Sequence, residues 1–116
     1  MVIYFNPGCS KCNEALSLLN ENNCRVEIRN YLQEPPTVDE LRDLVKKLGC
    51  RAIDIVRQKE YEFQEKFMDK NLSDEELLRV LSENPILIER PIVVAGNRAL
   101  IGRPPSRVLQ IAEGEH

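Results

Sequence analysis

At 116 residues the chain has the length of one domain, and its 42% hydrophobic and 30% charged content is that of an ordinary globular protein. A net charge of −3 with no Lys/Arg run gives no basis for nucleic-acid binding, and no apolar stretch is long enough to span a membrane. The amino terminus lacks the basic start and long apolar core of a signal peptide, so a cytoplasmic protein is expected.

Val2-Ile3-Tyr4-Phe5 is a short apolar run and predicts a buried strand. Asn6-Pro7-Gly8 is a turn, in which Pro7 fixes one dihedral and Gly8 lets the backbone approach closely. From Cys9 to about Asn22 the pattern is helical: Cys12, Ala15, Leu16 and Leu19 fall on one apolar stripe. On that wheel Cys9 is expected at the exposed tip of the helix and Cys12 one turn in, facing the core. Arg25 to Tyr31 alternates, with Val26 and Ile28 on one face, and predicts a second strand.

Pro35-Pro36 breaks the chain. Thr37 with Glu40 forms a capping box that opens a helix carrying Leu41, Leu44, Val45 and Leu48, closed by Gly49. Arg51 to Arg57 predicts a short helix and Tyr61 to Met68 a weak one. Ser73 with Glu76 is a second capping box, leading into Leu77, Leu78, Val80 and Leu81 and ending at Asn84-Pro85. Pro91-Ile92-Val93-Val94 predicts a strand, Gly96-Asn97 a hairpin turn and Ala99-Leu100-Ile101 its partner. Gly102-Arg103-Pro104-Pro105 is a loop, and Val108 to Ala112 a closing helix.

The order is β-α-β, a helical block, then β-β-α. A β-α-β crossover implies parallel strands and a hairpin an antiparallel pair. The expected architecture is an α/β fold: a mixed four-stranded sheet flanked by helices, in one domain over residues 1–116, with residues 37–84 a helical insertion within it. Nothing in the pattern suggests an obligate interface, so a monomer is expected.

Cys9-Ser10-Lys11-Cys12 carries the chemistry. Two thiols at redox spacing sit on the first strand-to-helix turn, the arrangement of a thioredoxin-like fold. A thiol there meets the partial positive charge and free N–H groups of a helix N-terminus, which favour the reactive thiolate. Cys24 and Cys50 stand alone and are expected to be inert, as small hydrophobes or surface thiols. The one histidine, His116, is the last residue, so a Cys-His or Ser-His-Asp pair is not expected. Only one cysteine pair is close, which does not make a zinc site, and no metal is expected.

Asn6-Pro7-Gly8-Cys9-Ser10-Lys11, Tyr31-Leu32-Gln33-Glu34-Pro35-Pro36-Thr37, Glu89-Arg90-Pro91-Ile92-Val93-Val94 and Gly102-Arg103-Pro104-Pro105 resemble the glutaredoxin-coupled arsenate reductases, the ArsC-type family. The resemblance runs nearly the full length and keeps the order of elements. It implies that Cys9 is the nucleophile, that Arg57, Arg90 and Arg103 hold the oxyanion, and that Pro91 is a cis-proline against the catalytic cysteine. It further implies an enzyme with no bound cofactor, whose reducing co-substrate is glutathione and whose partner is glutaredoxin or thioredoxin. Cys12 stands where the family usually has serine or another non-thiol, Asn13 where many members have arginine, and Phe5 where some have histidine. Cys12 is therefore a second candidate thiol, able to resolve an intermediate on Cys9. Two other functions share these residues: a general thiol-disulfide oxidoreductase, and an Spx-type redox-sensing regulator that binds RNA polymerase.

Overall fold

The computed structural model describes residues 1–113; His116 lies outside them. The chain divides into two compact units, Met1–Glu34 with the chain from Arg90 onward, and Pro35–Glu89.

The first unit holds the sheet. Its strands are β1 (Val2–Phe5), β2 (Glu27–Asn30), β3 (Ile92–Ala95) and β4 (Arg98–Ile101). The order is β2-β1-β3-β4; β1 and β2 run parallel, and the β1–β3 and β3–β4 pairs are antiparallel. This is the expected mixed four-stranded sheet. Register places Ile28, Ile3, Val93 and Leu100 in one row across it. Ile3, Phe5, Val93, Ala95 and Leu100 join Cys12, Ala15 and Leu19 of helix α1 (Ser10–Glu21) and Val108, Ile111 and Ala112 of helix α5 (Val108–Glu113) in one buried cluster. The stripe at positions 12, 15 and 19 is thus the face that α1 turns to the sheet.

β2 is shorter than the expected Arg25–Tyr31, and Ile28 on it is 51% exposed. The alternation is real, but β2 is an edge strand, so the outer member of the row lacks a neighbour on one side. The hairpin turns at Gly96, which takes φ +61°, a conformation cheap only for glycine.

The second unit is helical: α2 (Val38–Leu48), α3 (Tyr61–Lys66) and α4 (Asp74–Glu83), with 3-10 turns at Ala52–Ile55, Met68–Lys70 and Pro85–Leu87. Both capping boxes form. Glu40 N–H donates to Thr37 Oγ1 at 3.1 Å while Thr37 N–H donates to Glu40 Oε1 at 3.0 Å. Ser73 and Glu76 make the same reciprocal pair at 3.3 and 3.1 Å. Gly49 closes α2 with φ +66°. Leu41 and Leu44 of α2 and Leu77, Leu78 and Leu81 of α4 are buried as α2 packs on α4.

The expected helix from Arg51 to Arg57 is only a 3-10 turn. Asp54 caps it through a 2.9 Å bond from the Arg51 N–H, and Val56 then turns extended and pairs with Ile88. That bridge ends the turn two residues early and carries Arg57 out of it. The expected helix from Tyr61 to Met68 likewise shortens to α3, Tyr61–Lys66.

Leu81 is wholly buried, and truncating it removes a full side chain from the helical core. Leu81→Ala is expected to cost about 2–5 kcal/mol, read as a lower midpoint in urea unfolding.

Candidate active site

β1 ends at Phe5 and α1 begins at Ser10, so Asn6 to Cys9 must turn the chain in four residues. The Cys9 N–H donates to Asn6 O at 3.0 Å, and the Gly8 N–H donates to Asn6 Oδ1 at 2.9 Å. Asn6 thus closes the turn twice, through its backbone and as an Asx turn. Gly8 itself is not demanded by its protein surroundings. Its φ is not positive, and a Cβ there would meet only Asn6 Oδ1 at 3.5 Å, an ordinary contact. The close approach expected at Gly8 does not occur within the protein.

Cys9 is the N-cap of α1, with extended backbone at φ −102° and ψ 118°. It is not at an exposed tip, as the helical wheel suggested, but 9% exposed and part of the buried cluster. The cap residue is the joint between strand and helix rather than a loop residue, and the sheet-facing cluster reaches that joint. A serine or aspartate here would accept from the N–H of the second or third helical residue. No side-chain hydrogen bond caps α1 with cysteine in the place. The N–H groups at those two positions belong to Lys11 and Cys12.

These surroundings act on the sulfur in opposite directions. Burial raises the Cys9 pKa; the Cys12 N–H, the Cys12 thiol, the Lys11 N–H and the positive charge of Arg90 all lower it. The lowering influences win, and Cys9 titrates below the ordinary thiol range. Cys12 is fully buried and goes the other way. Burial first, then the charge of Cys9 and the hydrogen bond donated to it, push Cys12 up to about 12, against opposing help from the Asn6 N–H and Arg90. The pair therefore ionises at Cys9 and keeps its other proton on Cys12. Cys24 is half-buried against the cluster. Cys50 is half-buried too, its pKa raised by burial and by Asp54.

Arg90 precedes β3, and its bond to Pro91 is cis, the isomer that the resemblance implies. The Arg103–Pro104 bond is also cis. Arg103 leaves β4 and donates from Nε to the Arg90 carbonyl at 2.7 Å, while the Gly102 N–H donates to Pro91 O at 2.8 Å. Arg90, Pro91, Gly102 and Arg103 are therefore one connected group, whose first member acts on both thiols. Arg57 belongs to the Pro35–Glu89 unit. There its guanidinium pairs with Glu60 at 2.9 Å and donates to Ile86 O at 3.0 Å. Among the described residues no group of three His, Cys, Asp or Glu is arranged to hold a metal ion, and no helix is long and apolar enough to cross a membrane.

Three contributors were given no role of their own from the sequence. Asn6 had a readable signal, an Asn two residues before Gly. Glu60 stands three residues after Arg57, a pairing hidden by the placing of Arg57 in the preceding helix. Gly102 had no signal, because its role is a tertiary contact described below.

The ArsC family model matches residues 4–111. The chain is 49% identical to the uncharacterized protein YfgD of Escherichia coli, over 94% of this chain and 93% of that one. It is 45% identical to the arsenate reductase of Haemophilus influenzae, over 96% and 97% of the two chains. Among solved structures, the arsenate reductase of Vibrio cholerae superposes with a TM-score of 0.91 at 43% identity, covering 95% of each chain. A match of this extent, over a thioredoxin-like fold with its thiol at the first strand-to-helix joint, makes the chain a member of the ArsC family.

Proposed function

We propose that the protein is an arsenate reductase in which Cys9 is the nucleophile. The observation that carries this reading is the lowered Cys9 pKa at a helix N-cap, beside Arg90 and a protonated Cys12. Arsenate is a tetrahedral anion. Guanidinium groups suit it, because each presents donors in a planar fork that can pair two oxygens. In this reading Arg90 and Arg103 hold the anion, and Arg57 is the third ligand on the strength of the resemblance.

The Cys9 thiolate attacks arsenic, an As–O bond breaks, and the oxygen leaves as water after taking up a proton. A second thiol then attacks the Cys9 sulfur. The new S–S bond forms as the S–As bond breaks, and its electron pair stays on arsenic, which departs as arsenite. Two thiols are oxidised and one As(V) is reduced to As(III). The second thiol is glutathione or Cys12. A thiol with its pKa near 12 stays protonated until the Cys9 charge is consumed by bonding to arsenic, which suits Cys12 to a late step.

The test follows NADPH loss with reduced protein, arsenate and either a glutathione–glutaredoxin or a thioredoxin system. Loss that requires arsenate supports the reading. Loss with a protein disulfide but not with arsenate sinks it in favour of a general thiol-disulfide oxidoreductase. No loss with either, together with capture of RNA polymerase, sinks it in favour of a regulator.

Cys12→Ser is expected to stop thioredoxin-linked turnover and leave glutathione-linked turnover within about threefold, since a neighbouring donor to Cys9 is kept. Equal loss by both routes removes the resolving role. Arg57→Leu is expected to weaken protection of Cys9 by arsenate against alkylation while leaving the alkylation rate without arsenate unchanged.

A further inference from the structure

Asn13 lies on the exposed side of α1, one residue beyond the C-x-x-C pair, and takes no part in the chemistry above. Its side-chain amide nevertheless reaches back across the turn. Nδ2 donates to Pro7 O at 3.1 Å and to Cys9 O at 3.0 Å. The Asn13 backbone N–H donates to the same Cys9 carbonyl at 3.1 Å. One side chain therefore ties together the carbonyls on both sides of Gly8.

We propose that Asn13 is a positioning residue for Cys9, a clamp that fixes the Pro7-Gly8-Cys9 backbone and so holds the sulfur against the Lys11 and Cys12 N–H groups. The proposal rests on the reading of Cys9 as the nucleophile. Its logic is geometric. Gly8 is the freest residue in the turn, and nothing packs tightly on it. A rotation about Gly8 would swing Cys9 relative to α1. The Asn6 bonds hold the start of the turn, at the Gly8 and Cys9 N–H groups. Asn13 holds the carbonyl side of the Pro7–Gly8 link and the carbonyl of the Cys9–Ser10 link, so the two residues together bracket Gly8. The Cys9 carbonyl also belongs to the first turn of α1, so Asn13 fastens the loop to the helix that supplies the N–H groups. An amide suits this work because it carries two donors on one nitrogen and no charge to disturb the thiolate.

The test measures alkylation of Cys9 across pH by mass spectrometry of its peptide, in the full chain, for the parent, Asn13→Leu and Asn13→Gln. Leucine keeps the bulk, removes the donors and favours the helix; glutamine returns an amide. In Asn13→Leu the midpoint is expected to move up and the rate at pH 7 to fall by about threefold, the lower end of what a hydrogen bond contributes. The melting temperature is expected to hold, because the site is exposed. Asn13→Gln is expected to recover most of the lost rate.

If the parent and Asn13→Leu profiles coincide while parent Cys9 is still more reactive at neutral pH than a free thiol, the clamp is overturned and the nucleophile stands. If parent Cys9 is no more reactive at neutral pH than a free thiol and arsenate does not protect it, the nucleophile reading fails and the clamp with it. A rate that falls in step with melting temperature, and that glutamine does not restore, also overturns the clamp by making Asn13 merely structural.

Discussion

Cys9→Ser is expected to abolish arsenate-dependent turnover and at the same time to make the folded protein more stable. The two effects have one origin. Cys9 occupies a helix N-cap, where a neutral thiol leaves the helix without a side-chain acceptor. Serine is among the preferred residues there, and its hydroxyl accepts from the N–H groups that now act on the sulfur. A gain of about 0.5–1 kcal/mol in urea unfolding is expected at a pH below the Cys9 range, where the thiol is neutral. Activity falls to background, because serine at its own pKa supplies no anion to attack arsenic. A site that gives up stability at one position for reactivity is the pattern expected where a local rule is broken for function.

The pH dependence of that gain carries a sign. A thiol whose folded pKa lies below its unfolded value contributes stability that is fully present above the unfolded value. It is lost as pH falls through the folded value. The advantage of Cys9→Ser over the parent is therefore expected to shrink as pH rises through the Cys9 range, because the parent's thiolate begins to cap α1 itself. Cys12 has the opposite sign. Between about 8.5 unfolded and about 12 folded, the unfolded chain releases a proton that the folded chain keeps, so stability falls as pH rises. Urea melts of the parent, Cys9→Ser and Cys12→Ser at a series of pH values separate the two. An advantage for Cys9→Ser that grows with pH, or a parent no more reactive at neutral pH than a free thiol, contradicts this account.

The features legible in the sequence are those set by neighbours along the chain. Thr37 with Glu40 and Ser73 with Glu76 form their boxes because each partner is three residues away on a helix about to start. The stripe at Cys12, Ala15 and Leu19 faces the sheet because helical geometry leaves it no alternative once the apolar residues share a side. The strand-turn-helix around Cys9 was legible for the same reason, and with it the place of that thiol at the start of α1. Its exposure was not, because burial of a joint depends on how far the rest of the cluster extends. Arg57 shows the same limit. Local pattern carried the helix on to position 57, but the bridge from Val56 to Ile88 is a pairing across more than thirty residues and takes precedence. Arg103, like Arg57, looks like an ordinary surface charge until the fold brings its guanidinium onto the Arg90 carbonyl.

Gly102 is where that long-range character has its largest expected consequence. A Cβ built there would lie 2.9 Å from Pro91 Cγ and 3.0 Å from Val108 Cγ1. Neither neighbour can step aside easily. Pro91 is held by its own ring and by the bond from the Gly102 N–H, and Val108 is a fully buried, β-branched residue. Gly102→Ala is therefore expected to destabilise the protein by about 1–3 kcal/mol, the usual range for overpacking a filled interior. For a domain of this size that lowers the melting temperature by roughly 4 °C for each kcal/mol. The damage does not stop at stability. Pro91 carries Arg90 with it, and Arg103 is bonded to the Arg90 carbonyl, so a displaced Pro91 moves the cation that helps ionise Cys9. The alkylation midpoint of Cys9 is expected to rise in Gly102→Ala under conditions where the variant is fully folded. Gly8→Ala is the matched control. It changes a glycine much nearer to Cys9 in sequence, yet the added methyl meets one atom at an ordinary 3.5 Å, and its effect on stability is expected to stay within about 0.5 kcal/mol. If the two alanine variants melt alike, close packing of Gly102 on Pro91 is not what fixes this end of the sheet.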